Sequence, residues 1–98
     1  MSFLKNLFGS KTDYKELIQA GAKVFDVRTE AEFAQGHYKG SINIPLDELT
    51  RRLSTLKKED AYIMCCRSGM RSSIARNILK SSGFINVHNA GPWTSIAK

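Results

Sequence analysis

Short apolar runs alternate along the chain with stretches of helical periodicity. The apolar runs are bounded by turn residues, which predicts buried strands; they cover residues 23–27, 42–44, 61–65 and 84–88. The stretches between them place apolar residues three and four positions apart, which predicts helices; the clearest covers residues 72–82. Strands that alternate with helices are typical of a parallel sheet with helices on both faces.

Capping residues indicate where three of the helices begin. Asp13 and Glu16 have the spacing of a capping box, in which side chains bond the backbone amides at the start of a helix. Thr29 and Glu32 repeat that spacing before the second helix. Asp47 is expected to cap a further helix that carries a stripe of leucines.

The length and composition fit one small globular domain. The chain has 98 residues, of which 42% are hydrophobic and 24% charged, and this excludes disorder and a second domain. No apolar run approaches the roughly 18–20 residues of a membrane span, so we expect none. We expect an N-terminal segment, residues 1–12, and a domain over residues 13–98. The apolar residues of the segment have helical spacing, which fits either a weak docking helix or packing on its own domain.

Charge is distributed unevenly between the two ends of the chain. The net charge is +6, and residues 61–98 carry five Lys or Arg residues and no acidic residue. The positive field of that part attracts small anions, acidic partners or nucleic acid. Because no nucleic-acid-binding motif accompanies the basic residues, we expect no nucleic-acid partner.

The positions of the two cysteines and two histidines bear on the cellular compartment and on the binding of metals and cofactors. Cys65 and Cys66 are adjacent and close no useful disulfide loop, which favours a reducing compartment. The first residues lack the apolar core of a signal peptide, and we therefore expect a cytoplasmic location. The histidines and cysteines do not have zinc-ligand spacing, and no nucleotide-binding motif is present, so we expect no metal and no cofactor.

Cys66 follows a predicted strand and precedes a short loop and a helix. The loop and the first turn after it consist of Arg67, Ser68, Gly69, Met70 and Arg71. In parallel sheets, ligands bind at the carboxyl ends of strands. A short glycine-containing loop can turn backbone amides inward as an anion nest, and the arginines and the helix N-terminus add positive charge. Because such surroundings lower a cysteine pKa from about 8.5 to roughly 3.5–7.5, the spacing predicts a thiolate nucleophile.

The spacing alone leaves a second interpretation open for each cysteine. Cys66 is either this nucleophile or a buried, inert residue at the end of a strand. Cys65 is expected to point to the opposite face and to pack in the core. The alternative for Cys65 is a resolving thiol, although neighbouring cysteines form only a strained disulfide.

Two segments of the chain resemble the signatures of rhodanese domains, in the same order and at the same separation. The first runs from Val24 to Thr29 and continues through Glu32-Phe33, Gly36-His37, Gly40-Ser41 and Asn43-Ile44-Pro45. The second, from Cys66 to Ser72, resembles the rhodanese active-site loop. The resemblance covers about residues 13–93 and is to single-domain sulfurtransferases.

The resemblance implies a three-layer α/β fold with a central five-stranded parallel sheet flanked by helices. It implies that Cys66 takes a sulfane sulfur from a small anionic donor, thiosulfate or a persulfide. The resulting Cys66 persulfide would pass its outer sulfur to a thiol, cyanide or protein acceptor, with ping-pong kinetics. The alternative is a persulfide carrier or interaction module with little turnover of free substrate.

Loop length and two polar residues complete the expected site. Related phosphatases and arsenate reductases have one more residue between cysteine and arginine, so the four residues between Cys66 and Arg71 favour a sulfur-sized occupant. Asp26 and Arg28 are expected to support the loop from a neighbouring strand. Asp26 either accepts hydrogen bonds from the loop or pairs with an arginine, and Arg28 either faces the donor anion or has a structural role.

Overall fold

Four helices and four strands alternate in residues 12–96, which are the residues that the computed structural model describes. In chain order these elements are α1 (Tyr14–Gln19), β1 (Lys23–Asp26), α2 (Glu30–Ala34), β2 (Ile42–Asn43), α3 (Leu46–Arg52), β3 (Ala61–Cys66), α4 (Met70–Ser81) and β4 (Asn86–Pro92). Short 3-10 turns follow α3, at Leu53–Thr55, and β4, at Trp93–Ser95. The predicted alternation is confirmed, whereas the predicted N-terminal segment lies outside the described residues except for residue 12.

The four strands form one parallel sheet in the order β2-β1-β3-β4. The expectation of five strands is wrong for residues 12–96, which supply four. That number came from the resemblance, whereas the chain itself has four apolar runs in this range, and each forms one strand. β1 and β3 are the central strands, so the carboxyl end of β3 lies in the middle of the sheet edge, where ligands bind in parallel α/β folds.

Helices cover both faces of the sheet and make the predicted three layers. On one face α3 and α4 pack with side chains of β1 and β3, around a core that includes Phe25, Leu49, Tyr62, Met64 and Leu79. On the other face α1 and the C-terminal turn pack on Val24, Ile63, Cys65 and Ile96. Alternate residues of β3 therefore serve opposite cores, as strand geometry requires.

Several element boundaries differ from the predictions: α4 begins at Met70 instead of residue 72, and β4 ends at Pro92 instead of residue 88. α3 begins after Pro45 without a side-chain cap, and Asp47 lies in the first turn instead of capping it. Its carboxylate still favours the positive end of the helix dipole. β4 begins later than expected because the amide of Phe84 bonds the carbonyl oxygen of Leu79 at 3.1 Å and so belongs to the end of α4.

Two features are absent from residues 12–96. No helix within this range is both long and apolar enough to cross a membrane. Nor does the same range hold a group of three or more His, Cys, Asp or Glu side chains that could bind a metal ion.

Candidate active site

Cys66 is the last residue of β3 and lies at the carboxyl edge of the sheet. Its side chain faces α4 and is 0% exposed. Cys65, one residue earlier, packs in the core of the opposite face. The cysteines are both free thiols. Alternation along the strand thus gives two adjacent thiols different surroundings.

The chain turns sharply after Cys66, and the turn directs backbone amides at its sulfur. The amide of Gly69 donates to Cys66 Sγ at 2.9 Å, and the amide of Ser72 donates at 3.4 Å. Gly69 has a φ of 110°, a left-handed conformation that favours glycine, and immediately precedes α4. Because no side chain caps α4, an amide of its first turn is available to the sulfur.

Burial raises the pKa of the Cys66 thiol, and hydrogen bonds lower it by more. The amides of Ser72, Gly69 and Ser68 donate to the sulfur and favour the thiolate, so the pKa lies below the ordinary cysteine value. For Cys65, burial and then the charge of Asp26 raise the pKa to about 12. Of the two thiols, Cys66 is therefore the one that its surroundings favour as a thiolate.

Arg71, in the first turn of α4, is held by a carboxylate from α2. Its Nη1 and Nη2 atoms donate to the two carboxylate oxygens of Glu32 at 2.7 and 3.0 Å. Glu32 also completes the predicted capping box with Thr29. Hydrogen bonds from Arg71 and Thr29 lower the pKa of Glu32 to about 2. The hydrogen bond to Glu32, and less strongly the charge of Cys66, raise the pKa of Arg71, so the guanidinium stays positive beside the site.

Asp26 and Arg28 form a buried ion pair at the end of β1. Arg28 Nη2 lies 2.7 Å from Asp26 Oδ2, and Arg28 Nε lies 2.9 Å from Oδ1. The two residues are 0% and 5% exposed. Arg28 Nη2 also donates to the carbonyl oxygen of Gly36 at 2.7 Å, and its guanidinium carbon lies 5.1 Å from the Trp93 ring centroid. These contacts favour pairing as the role of Asp26 and a structural role for Arg28.

The other loop side chains face solvent beside a shallow cleft. Arg67, Ser68 and Met70 are exposed. The cleft has a volume of about 310 Å³ and is lined by Arg28, Glu32, Gln35, Gly36, Arg67 and Trp93. Its size fits a small anion, and Arg67 contributes a cation to its rim.

Two residues close to Cys66 are not among the site residues that the sequence predicts. Ser72 Oγ lies 3.3 Å from Cys66 Sγ, and Asn89 Oδ1 lies 2.6 Å from Ser72 Oγ. Ser72 directly follows the loop and could have been included by proximity. For Asn89 the sequence offers no comparable signal, because β4 is mostly half-buried or exposed and carries other polar side chains.

Fold and site together define a class of protein. A family model for the rhodanese-like domain matches residues 10–91, and the chain belongs to that family. The resemblance inferred from the two sequence signatures is thereby confirmed.

Two relatives and one solved structure show how similar the chain is to individual proteins. Thiosulfate sulfurtransferase PspE of Escherichia coli (strain K12) is 34% identical over 97 residues, which cover 97% of this chain and 93% of that protein. Putative sulfur carrier protein YrkF of Bacillus subtilis (strain 168) is 34% identical over 91 residues, 89% of this chain and 47% of that protein. A solved structure described as rhodanese with anions from E. coli has a TM-score of 0.74 at 37% identity, covering 79% of this chain and 93% of that one.

Proposed function

We propose that the protein is a sulfurtransferase that moves a sulfane sulfur through a persulfide on Cys66. In the first half-reaction the Cys66 thiolate attacks the outer sulfur of thiosulfate or of a persulfide donor. A bond forms between the two sulfur atoms, and the sulfur–sulfur bond of the donor breaks. With thiosulfate, sulfite leaves with the electron pair, and the thiolate has become a persulfide anion.

The second half-reaction returns the enzyme to its starting state. A nucleophilic acceptor, such as a thiolate or cyanide, attacks the outer sulfur of the persulfide. Cys66 leaves as a thiolate, and with cyanide the product is thiocyanate. No oxidant or reductant is consumed, because the sulfur passes from one nucleophile to another. Since the first product leaves before the acceptor reacts, ping-pong kinetics are expected.

The amides directed at Cys66 Sγ are the observation that carries this proposal. The Gly69 amide, 2.9 Å from the sulfur, and the Ser72 amide, 3.4 Å away, favour a thiolate before the reaction. The same loop can stabilise the outer sulfur of a persulfide, which is also an anion. The buried sulfur and the short loop support a sulfur-sized occupant over a phosphate group.

The surroundings of the loop support an anion as the sulfur donor and a protein as a sulfur acceptor. Arg67 lines the cleft beside the loop and gives a small anion a positive contact. Met70 and Ile74 are 75% and 47% exposed and lie one turn apart on α4. An exposed apolar pair next to the loop suits contact with a protein acceptor better than with cyanide.

Exchanging each cysteine in turn tests the proposal. Cys66→Ser is expected to reduce the transfer of sulfur from thiosulfate to cyanide to background, because the nucleophile is lost. Cys65→Ser is the matched control, one position away on the opposite face, and is expected to keep most of the activity. Equal loss of activity in two variants that are both folded would contradict the assignment of Cys66 as the nucleophile.

A persulfide carrier is the second candidate, and the similarity to YrkF favours it. In that case Cys66 holds a sulfur that a partner enzyme delivers. Mass spectrometry after treatment with thiosulfate distinguishes the two candidates. Addition of one sulfur atom to Cys66 with rapid turnover to thiocyanate supports the enzyme, whereas a stable adduct with negligible turnover supports the carrier.

We propose the cytoplasm as the location of the protein. The chemistry requires a free Cys66 thiol, and both cysteines are free in the structure. A reducing compartment maintains that state. Fractionation of cells that produce the tagged protein tests this location, and recovery mainly from an oxidising compartment would contradict it.

A further inference from the structure

The carboxamide of Asn89 connects β4 to the middle of the active-site loop and to the first turn of α4. Its Oδ1 atom accepts from the Ser72 hydroxyl at 2.6 Å and from the Gly91 amide at 2.9 Å. Its Nδ2 atom donates to the carbonyl oxygen of Gly69 at 3.2 Å. The side chain therefore reaches the residue that supplies the shortest amide contact to Cys66 and the residue whose hydroxyl lies beside the sulfur.

These contacts determine the direction of each hydrogen bond. The Gly91 amide can only donate and the Gly69 carbonyl can only accept, so the oxygen and nitrogen of the Asn89 carboxamide are assigned without ambiguity. Because Oδ1 is an acceptor only, the single proton of the Ser72 hydroxyl points to Asn89. Toward Cys66 Sγ, 3.3 Å away, Ser72 Oγ is then an acceptor, and the thiol is the donor.

A bulge in β4 gives Asn89 this position. Met64 of β3 pairs with Asn89, but the next residue, Cys65, pairs with Gly91, so Ala90 is an extra residue. Met64 packs in the core on the α4 face, and its neighbour Asn89 lies on the same face. Beyond the bulge the strand changes register, which lets the Gly91 amide turn back to Asn89 Oδ1. Bulges of this kind often redirect side chains beside active sites.

We propose that Asn89 is a positioning residue that retains the Ser72 hydroxyl proton and so restricts the Cys66 thiolate to backbone donors. The proposal rests on the proposed role of Cys66 as a thiolate nucleophile. An additional hydrogen bond, from the hydroxyl, would stabilise the thiolate further and make it less nucleophilic. Asn89 competes with the sulfur for that proton and keeps the thiolate more reactive.

Ionisable groups near this network are coupled to Cys66 by charge. Cys65 on β3 and Arg71 on α4 interact with it directly, Glu32 on α2 pairs with Arg71, and Asp26 and Arg28 at the end of β1 act on Cys65. Asn89→Ala leaves all of these charges in place. If Asn89→Ala changes the pKa of Cys66 when the Ser72 hydroxyl is present and not when it is absent, the change is thus due to the hydrogen bonds and not to a neighbouring charge.

A double-mutant cycle with titration of the thiolate by ultraviolet absorbance tests the proposal. Asn89→Ala frees the Ser72 hydroxyl to donate to the thiolate, so the pKa of Cys66 is expected to fall by about 0.5 to 1. The rate of alkylation per thiolate is expected to fall about two- to threefold. In the Ser72→Ala background the same exchange at Asn89 is expected to leave the pKa unchanged, because the hydroxyl is absent.

Asn86→Ala is the matched control, because Asn86 lies on the same strand and bonds His88 instead of the loop. It is expected to leave the pKa of Cys66 unchanged. A merely structural role of Asn89 would loosen the loop and raise the pKa in both backgrounds, and that result would overturn the proposal. A pKa that does not change in either background would also overturn it. Titration needs no turnover, so this failure is distinguishable from failure of the proposed sulfurtransferase.

A second measurement uses the unmodified protein and does not depend on how a variant folds. Infrared spectroscopy follows the S–H stretch that disappears as Cys66 ionises, while Cys65 remains a thiol up to a pKa of about 12. The structure predicts a band shifted to the frequency of a hydrogen-bonded S–H donor. A band at the frequency of a free S–H group would contradict the donor direction on which the proposal depends.

Discussion

The two adjacent cysteines at the end of β3 have different surroundings, and they differ in the hydrogen bonds that reach their sulfur atoms. Both side chains are 0% exposed, so burial alone would keep both as neutral thiols. Cys66 differs because the amides of Gly69 and Ser72 reach its sulfur. These contacts explain how a buried thiol can act as an anion without a neighbouring histidine base.

Substitution of Arg67 is expected to weaken the binding of substrate without lowering the stability of the fold. Its side chain is exposed and lines the cleft beside the loop. Arg67→Ala is expected to raise KM for thiosulfate about two- to fivefold, the range of a solvent-screened charge contact, with little change in melting temperature. Steady-state kinetics provide the measurement. Arg51→Ala, an exposed arginine on α3, is the control, and an equal effect there would refute a local role for Arg67.

At the scale of elements, the site is assembled where α4 begins and where α2 meets it. Gly69 allows the chain to pass from β3 into α4 within a short turn. Glu32 then links α2 to the first turn of α4 through Arg71. The loop is therefore held at both sides by regular elements, which keeps its amides directed at one point.

Gly69→Ala is expected to abolish most of the transfer activity. The backbone has a φ of 110°, and a Cβ atom would lie 3.3 Å from Gly91 Cα, so the turn must shift. The left-handed conformation itself costs about 1–2 kcal/mol in stability for a residue other than glycine. Gly40→Ala has a similar φ of 93° but open space for a Cβ atom. It is expected to lower stability comparably while keeping activity, which thermal unfolding and kinetics together would show.

The Glu32–Arg71 pair predicts a pH-dependent contribution to stability. The pKa of Glu32 is about 2 in the folded protein and 4.5 ordinarily, so its contribution is present above pH 4.5 and is lost as the pH falls towards 2. Glu32→Gln should therefore destabilise the protein most above pH 4.5, and the difference from wild type should shrink on acidification. Denaturant unfolding across this range measures it. A difference independent of pH, or one no larger than for Glu30→Gln, would be inconsistent with the pair.

At the scale of the whole molecule, the distribution of charge favours the approach of the proposed anionic donor to the active-site loop. The net charge is +6, and residues 61–98, which include the loop, carry no acidic side chain. A field of this sign raises the local concentration of small anions. Its range is about 10 Å at an ionic strength of 0.1 M, so added salt weakens it.

The rate of persulfide formation with thiosulfate is accordingly expected to fall as ionic strength rises. Alkylation of Cys66 by an uncharged reagent is the control and is expected to change little. Stopped-flow or quenched reactions at increasing sodium chloride concentration measure both rates. Equal salt dependence for the anionic and the uncharged reagent would show that electrostatic attraction of the donor is not involved.

The features that sequence could predict are those encoded in contiguous residues. The sequence predicts the loop from Cys66 to Arg71 and the Thr29–Glu32 capping box because each spans a few positions. The contact between Arg71 and Glu32 joins residues 39 positions apart, and the contact between Ser72 and Asn89 joins residues 17 apart. These depend on how strands cross over and on the bulge at Ala90, neither of which has a local signal.

The central claim is that the loop lowers the pKa of Cys66 and so favours its thiolate. The most direct measurement is the rate of alkylation of each cysteine as a function of pH, resolved by peptide mass spectrometry. Cys65, with a pKa raised to about 12, is the internal control in the same molecule. We predict that Cys66 reacts with a midpoint below the ordinary cysteine pKa and that Cys65 remains unreactive in that range. A midpoint for Cys66 at or above the ordinary value would contradict the account.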